Sequence, residues 1–166
     1  MLVIARSMQE LRWEEICQIY EEGFRLRGKQ AYPFLTENEQ ILRTQEDTYI
    51  YLQDEFYSQN GAYYAFWVED GRWICALRMR PYQKGLLLDA LETAPAYRNQ
   101  GFAQKLLREV LLQIPADTCV YSRILRRNKA SVRVHLRCGF QKHKPFAVFL
   151  DGSFHTDADT YIYNKQ

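Results

Sequence analysis

The residue types best suited to chemistry lie in one short segment of this chain, residues 98–103. The segment follows the apolar run 86–91, which predicts a strand, and precedes a stretch with helical spacing that extends to about Ile114. A turn that opens a helix directly after a strand leaves backbone N–H groups without partners, and the helix dipole strengthens their attraction for anions. We therefore predict a phosphate or pyrophosphate site formed by Arg98, Asn99, Gln100, Gly101, Phe102 and Ala103.

Length and composition limit the classes of protein to consider. The 166 residues fit one domain, 1–166, and a hydrophobic content of 47% is ample for a single core. The 22 Lys and Arg nearly cancel the 20 Asp and Glu, which argues against a dedicated nucleic-acid binder. No apolar run approaches the ~18 residues of a membrane span, and the first residues do not form a signal peptide. We expect no nucleic-acid partner and no membrane partner.

The cysteines indicate a compartment. Cys17, Cys75, Cys119 and Cys138 stand singly in apolar stretches, with none of the paired spacing that zinc sites use. Free buried thiols are typical of a reducing environment. We therefore expect a cytoplasmic protein that binds no metal.

The spacing of apolar residues predicts the elements that position the anion site. Alternating spacing predicts strands at about residues 2–6, 63–68, 73–77, 86–93, 118–125, 146–150 and 160–163. Helical spacing predicts four helices at about residues 13–24, 36–56, 102–114 and 128–139. Thr36 and Glu39 fit a capping box, and the turn 69–72 predicts a hairpin. The order β-α-α-β-β-β-α-β-α-β-β predicts one α+β domain, in which a mixed, mostly antiparallel sheet of about seven strands contains one parallel crossover.

This order and two sequence elements resemble the GNAT superfamily of acyl-CoA-dependent N-acyltransferases. Arg98-x-x-Gly101-x-Ala103 matches the family's cofactor signature, Arg/Gln-x-x-Gly-x-Gly/Ala at a strand–helix junction. Asn128, followed eleven residues later by Gly139-Phe140, matches a second family element. Two elements at the right separation are far more specific than one short motif. The resemblance, which extends from about residue 2 to residue 163, implies a single GNAT-like domain.

The resemblance also implies a reaction and a co-substrate. An acetyl group would move from acetyl-CoA to a primary amine, on a small molecule or a peptide, directly within a ternary complex. The anion site would then hold the coenzyme A pyrophosphate, with Gly101 allowing close approach, while backbone groups of Leu91 and Thr93 pair with pantetheine. The cofactor-binding set implied by the resemblance is Leu91, Thr93, Arg98, Asn99, Gln100, Gly101, Phe102, Ala103 and Asn128. An ordinary strand–helix turn is the alternative interpretation of the glycine.

A catalytic base is expected because aminolysis of a thioester needs a neutral amine, whereas an amine of pKa ~10.4 is protonated at pH 7. In relatives that use a side-chain base, a carboxylate or histidine often precedes the signature on the substrate-facing side of the strand. Counting back by two from Thr93 places Asp89 on the same face as Leu91, and Glu92 on the opposite face. A β-bulge would reverse that parity and make Glu92 the alternative. Asp89 acts as base or amine anchor, or it pairs with a nearby Arg78 or Arg80.

The proton donor for the leaving thiolate is where the sequence departs from the family. The family commonly has a tyrosine seven residues after the asparagine, and this chain has His135 there. An imidazolium could supply the proton near pH 7, or His135 could only pack, with Tyr121 or a water as the donor. This departure keeps open a second function, a catalytically silent acyl-CoA-binding or regulatory domain.

The sequence gives fewer signals for the residues that would bind the acceptor amine. A basic run over the fifth strand and fourth helix favours a solvated face, although Arg123 could instead hold a substrate carboxylate and Arg126 or Lys129 a cofactor phosphate. Tyrosines such as Tyr49 and Tyr51 lie in the region that usually walls the acceptor site. They could cage an ammonium or pack in the core, and they equally suit the interface of a homodimer.

Overall fold

The computed structural model describes all 166 residues, and its centre is a sheet of seven strands in the order β1-β2-β3-β4-β5-β9-β6. Every neighbouring pair in this sheet is antiparallel except β4 and β5. A separate two-stranded sheet pairs β7 with β8. The strands are β1 (Leu2–Ala5), β2 (Tyr63–Glu69), β3 (Arg72–Tyr82), β4 (Gly85–Thr93), β5 (Cys119–Leu125), β6 (Gln141–Lys144), β7 (Ala147–Val148), β8 (Phe154–His155) and β9 (Ala158–Asn164).

Five α-helices cover the two faces of the large sheet. They are α1 (Trp13–Ile19), α2 (Glu21–Ala31), α3 (Glu37–Tyr51), α4 (Phe102–Gln113) and α5 (Lys129–Arg137). A π-helical segment, Leu52–Phe56, extends α3, and the predicted capping box at Thr36 is present. No helix of the chain combines the length and the apolar character needed to cross a bilayer.

Two hydrophobic clusters show which helix covers which face. On the first face, α4 packs Leu106, Leu107 and Val110 against residues of the central strands such as Leu77 and Leu88. On the second face, residues of α1 and of the π-helical segment pack against Tyr64 and Phe66 of β2. Because strand residues alternate between the faces, each side chain of β4 and β5 can be assigned to the α4 face or to the α1–α3 face.

The parallel pair β4 and β5 forms a fork. Pairing covers only Leu86 to Leu88 on β4 and Val120 to Ser122 on β5. The closed end of the fork is tight, since a Cβ on Gly85 would lie 2.2 Å from the carbonyl oxygen of Cys119. Beyond Leu88 the strands are no longer paired, and a cleft opens between them.

A β-bulge interrupts β4 just past this point. Arg78 of β3 lies opposite Asp89, but Ala76 lies opposite Glu92, so Leu77 faces two residues of β4. Ala90, one of the two, has a φ of 54°. The bulge reverses the alternation of side chains along the rest of the strand.

The predicted class and element order are confirmed, and three details differ. The first predicted helix is two helices, because the chain bends at Tyr20, whose hydroxyl donates to the carbonyl of Ala90 at 2.6 Å. The predicted strand 146–150 is not part of the large sheet; only Ala147–Val148 is extended there, paired with β8. The strand in its place, Gln141–Lys144, has no apolar alternation because it is an exposed edge strand that contacts β9 alone.

Candidate active site

The loop between β4 and α4 brings the residues of the predicted anion site together. Pro95–Tyr97 form a 3₁₀ turn, Arg98 is extended, and α4 begins at Phe102. Asn99 and Gly101 have left-handed backbones, with φ of 61° and 83°. A Cβ built on Gly101 meets no atom within 4 Å, so the backbone angle, rather than packing within the chain, requires glycine here.

This loop leaves six consecutive amides, residues 99–104, without partners in the chain. The next N–H, that of Lys105, donates to the carbonyl of Gly101 at 3.0 Å. No side chain caps α4, a helix of 12 residues whose dipole places partial positive charge at this end. Free N–H groups on a helix N-terminus beside open space suit a phosphate.

The fork lies next to these amides. From Asp89 to Thr93, β4 has a strand neighbour on its β3 side alone. Backbone groups on its other edge, including those expected of Leu91, are therefore available to an extended ligand, whereas the carbonyl of Thr93 already accepts from Arg98 Nε at 3.2 Å. The unpaired edge of β4 and the free amides of the loop therefore follow one another along the chain.

The bulge decides which side chains face which side of this cleft. Leu91 and the buried Thr93 lie on the α4 face, where Thr93 pairs with Cys75 and Leu91 contacts the first cluster. Asp89 and Glu92 lie on the α1–α3 face, opposite Arg78 and Ala76. The expectation that Asp89 shares a face with Leu91 and Thr93 is wrong, since the bulge at Ala90 intervenes.

Asp89 is bound by two arginines, the alternative that the sequence left open. The Arg78 Nε donates to its Oδ1 at 2.9 Å, and the Arg80 Nη2 donates to its Oδ2 at 2.7 Å. Tyr51 accepts a further hydrogen bond from Arg80. Because guanidinium groups occupy both oxygens, Asp89 is poorly placed to take a proton from an amine.

The carboxylate of Glu92 has fewer hydrogen-bond partners than that of Asp89. Its Oε1 accepts from Arg98 Nη2 at 3.2 Å, and its side chain is 41% exposed. Burial raises its pKa above the ordinary value, although the positive charge of Arg98 acts in the opposite direction. A carboxylate with a raised pKa is a better proton acceptor at neutral pH.

Arg98 holds the loop rather than reaching into the anion site. Its Nη1 donates to Glu22 of α2 at 2.6 Å, and its Nε donates to the carbonyl of Thr93 at 3.2 Å. With the Glu92 bond, these contacts tie α2 to the end of β4. The sequence predicts Arg98 as part of the anion site, but in this structure its guanidinium nitrogens bind Thr93, Glu22 and Glu92 instead.

A sequence model of the Acetyltransferase (GNAT) family matches residues 13–140. The chain belongs to this family. No curated protein sequence matches the chain.

Solved structures share the GNAT fold at low sequence identity. The histone acetyltransferase HPA2 and related acetyltransferase from Corynebacterium glutamicum aligns with a TM-score of 0.73 and 10% identity, over 100% of this chain and 96% of that one. The PaiA N-acetyltransferase of Thermoplasma acidophilum, in complex with coenzyme A, aligns with a TM-score of 0.60 and 15% identity, over 100% of this chain and 99% of that one. A spermidine N-acetyltransferase SpeG chimera from Vibrio cholerae and hSSAT aligns with a TM-score of 0.58 and 16% identity, over 98% of this chain and 95% of that one.

His135, which replaces the tyrosine usual in GNAT proteins, is 1% exposed and lies on the α4 face. Its Nδ1 is 2.8 Å from the carbonyl oxygen of Ser131, which can only accept, so Nδ1 carries the proton. Its Nε2, 3.0 Å from Ser122 Oγ, is then the acceptor. Burial lowers the pKa of His135 to about 4. A neutral imidazole without a proton on Nε2 favours the packing role over the acid role.

The structure reveals Ser122 as the partner of His135, a residue that the sequence analysis did not single out. Ser122 is 3% exposed and stands at the last paired position of the fork. Its alternation with Val120 and Ile124 was the available signal, since it places a small hydroxyl on an otherwise apolar face. Ser122 and His135 together fix α5 against β5.

The titration of His135 predicts a pH dependence of stability. Its pKa is depressed in the folded state, so its stabilising effect is complete above pH 6.5 and is lost as pH falls toward about 4. We expect the difference in free energy of unfolding between wild type and His135→Gln to shrink by about 3 kcal/mol between pH 7 and pH 4, measured by denaturant titration. The exposed His143, changed to Gln, is the control, and a His135→Gln difference that stays constant with pH would contradict the assignment.

Tyr121 lies on the other face, beside the fork. Its ring contacts Tyr82 and His143 edge-on, with centroids 5.5 and 6.3 Å away, and its hydroxyl makes no hydrogen bond within the chain. The structure thus brings Tyr121, Asp89 and Glu92 to the α1–α3 face and separates His135 from them.

Asn128 begins α5, and its side chain accepts from the N–H of Ser131 at 3.1 Å. The spacing from Asn128 to Gly139-Phe140 therefore has a structural basis here, a capped helix that is followed by a left-handed glycine with φ of 92°. Nowhere in the chain do three or more His, Cys, Asp or Glu side chains gather as they would around a metal ion.

Proposed function

We propose that this GNAT protein moves an acetyl group from acetyl-CoA directly to a primary amine. The observation that carries the proposal is the unpaired edge of β4 followed by the six free amides of residues 99–104. The free N–H groups suit the pyrophosphate, and the unpaired edge of β4 suits the amides of pantetheine. The space beside Gly101 is open to a ligand, which fits the same assignment.

Glu92 is the base in this proposal. The amine nitrogen attacks the thioester carbonyl, the carbon–sulfur bond breaks, and the proton lost by the nitrogen passes to the Glu92 carboxylate, directly or through one water. The raised pKa of Glu92 supports this role, and the bulge supports it by turning Glu92 to the face that carries Asp89.

Tyr121 is the proton donor for the thiolate in this proposal. Its hydroxyl is free, and it stands at a paired position of the fork, one residue from the point where the strands separate. The cysteines support direct transfer, since burial raises the pKa of Cys75 to about 12 and that of Cys17 to about 11. Neither thiol is prepared to form an acetyl-enzyme.

The test is release of free thiol from acetyl-CoA across a panel of amines, combined with thermal unfolding in acetyl-CoA. We expect the melting temperature to rise with ligand concentration and thiol release to depend on the amine. Tyr121→Phe should lower kcat and leave the thermal shift unchanged. No thermal shift at millimolar acetyl-CoA would refute the cofactor site, and a shift without turnover of any amine would identify the silent acyl-CoA-binding domain instead.

A further inference from the structure

Positive charge exceeds negative charge on the acceptor face of the fork. Arg78 and Arg80 of β3 and Arg123 of β5 all face this side, since they pair across the sheet with Asp89, Leu87 and Thr160. Asp89 is the one carboxylate that these three arginines contact. Both Arg78 and Arg80 contact this carboxylate, so Arg123 has no carboxylate in contact.

Arg80 is buried and incompletely satisfied. It is 3% exposed, and its Nη2 donates to Tyr51 and Asp89. Its Nε is buried and has no hydrogen-bond partner. Leaving a charged donor unpaired inside a protein is costly, so such an atom calls for a partner.

Arg123 has donors to spare. One Nη1 bond to the carbonyl of Val148, at 3.1 Å, is its only hydrogen bond in the chain, and its guanidinium stacks over Phe149 at 4.9 Å. Burial lowers its pKa below the ordinary value despite the opposing effect of Asp89. The arginine is thus partly desolvated, with most of its N–H groups unused.

A cavity of about 300 Å³ adjoins Arg123. Its walls include Leu87, Tyr121, Arg123, Lys144 and Phe146, and no carboxylate lines it. Leu87 lies opposite Arg80 across the β3–β4 pair. The cavity therefore joins the fork to a basic, partly aromatic wall of a size that suits a small molecule.

We propose that the acceptor is a small amine that carries its own anionic group, a carboxylate or a phosphate, and that Arg123 binds this group. The inference rests on the proposed function and names the class of its acceptor. The anion supplies the countercharge that the arginines lack, and a planar guanidinium suits both oxyanions. It also orients the amine toward the fork, where Glu92 and Tyr121 stand.

The proposal excludes a polyamine as the preferred acceptor. A polyamine such as spermidine carries several positive charges, which a cavity with arginine and lysine walls and no carboxylate would repel. The spermidine N-acetyltransferase chimera that shares this fold therefore differs from this chain in acceptor chemistry.

The experiment measures thiol release at saturating acetyl-CoA with matched pairs of acceptors. The pairs are L-amino acids against their amides, and 2-aminoethyl phosphate against ethanolamine, with spermidine as the cationic probe. We expect the anionic member of at least one pair to be favoured about 10- to 100-fold in kcat/KM. The two pairs distinguish a carboxylate from a phosphate.

Variants test the assigned residue. Arg123→Gln should abolish the preference within the pair, Arg123→Lys should keep part of it, and the exposed Arg133→Gln should change nothing. A second readout is independent of turnover: the anionic probes should raise the melting temperature of the acetyl-CoA-bound protein, and Arg123→Gln should lose this shift.

The outcomes separate the two proposals. Turnover of neutral amines or of spermidine with no preference for anionic ones would overturn this inference and leave the acetyltransferase intact. An anion-dependent thermal shift without any turnover would support the anion site and contradict the enzyme. Arg123→Gln retaining the full preference would overturn the role of Arg123.

Discussion

Replacing Gly101 by valine is expected to weaken acetyl-CoA binding at least about 100-fold, measured by calorimetry. Two effects combine. The φ of 83° is strained for a β-branched residue, and the new side chain would occupy the open space where we place the pyrophosphate. The amides of residues 99–104 would lose their alignment toward one ligand, so several charge-assisted hydrogen bonds would weaken together.

Gly71→Val separates binding from strain. Gly71 also has a left-handed backbone, with φ of 76°, and a Cβ there also meets no atom within 4 Å, but it lies in the hairpin turn between β2 and β3. Both variants should lose similar stability, and only Gly101→Val should lose affinity. Equal acetyl-CoA affinities in the two variants would exclude the loop as the cofactor site; Gly101→Ala is the milder substitution if the valine variant does not fold.

Changing Glu92 to glutamine is expected to reduce kcat about 100- to 1000-fold and to leave the acetyl-CoA affinity unchanged. The base acts in its deprotonated form, so wild-type activity should rise as pH increases through the pKa of Glu92. Burial sets that pKa above the ordinary glutamate value of 4.5. The acid limb of the pH–rate profile should therefore lie above that value and disappear in Glu92→Gln.

Glu22→Gln is the matched control, because Glu22 is the other carboxylate that contacts Arg98, at 2.6 Å. Removing either one weakens the attachment of Arg98, but only Glu92 lies on β4, the strand that carries Asp89. Comparable losses of kcat in both variants would assign Glu92 to positioning Arg98. A kcat within twofold of wild type in Glu92→Gln would remove it from the mechanism altogether.

The sequence was sufficient to predict the turn at residues 98–103 and its free N–H groups, because both depend on local chemistry. A strand, a glycine and an amphipathic helix in succession determine a row of free N–H groups, whatever the rest of the chain does. The capping box at Thr36 and the cap at Asn128 are local in the same sense. The element order followed from the spacing of apolar residues, which fails at the exposed edge strand Gln141–Lys144 and at the predicted strand 146–150.

The orientation of the candidate side chains Asp89 and Glu92 was harder to predict because it depends on one residue with an unusual backbone. Alanine rarely adopts the left-handed conformation of Ala90, and nothing in its neighbours signals the bulge. The Tyr20 hydroxyl that binds the Ala90 carbonyl is 70 positions away in the chain. The sequence predicts that Asp89 can pair with Arg78 or Arg80, but only the folded strands show that both arginines bind it, one at each oxygen.

The close approach of Gly85 to Cys119 controls the angle between β4 and β5 at the closed end of the fork. A Cβ at Gly85 would lie 2.2 Å from the carbonyl oxygen of Cys119, which is too close for non-bonded atoms. Because this oxygen belongs to the backbone, the clash can be relieved only if the two strands move apart at their closed end. The five residues from Asp89 to Thr93 extend about 17 Å past the last paired position, at about 3.3 Å each. A tilt of about 5° at the base therefore moves the tip by about 1.5 Å. We therefore expect the spacing of β4 and β5 beside Glu92, the proposed base, to depend on Gly85 at the closed end of the fork.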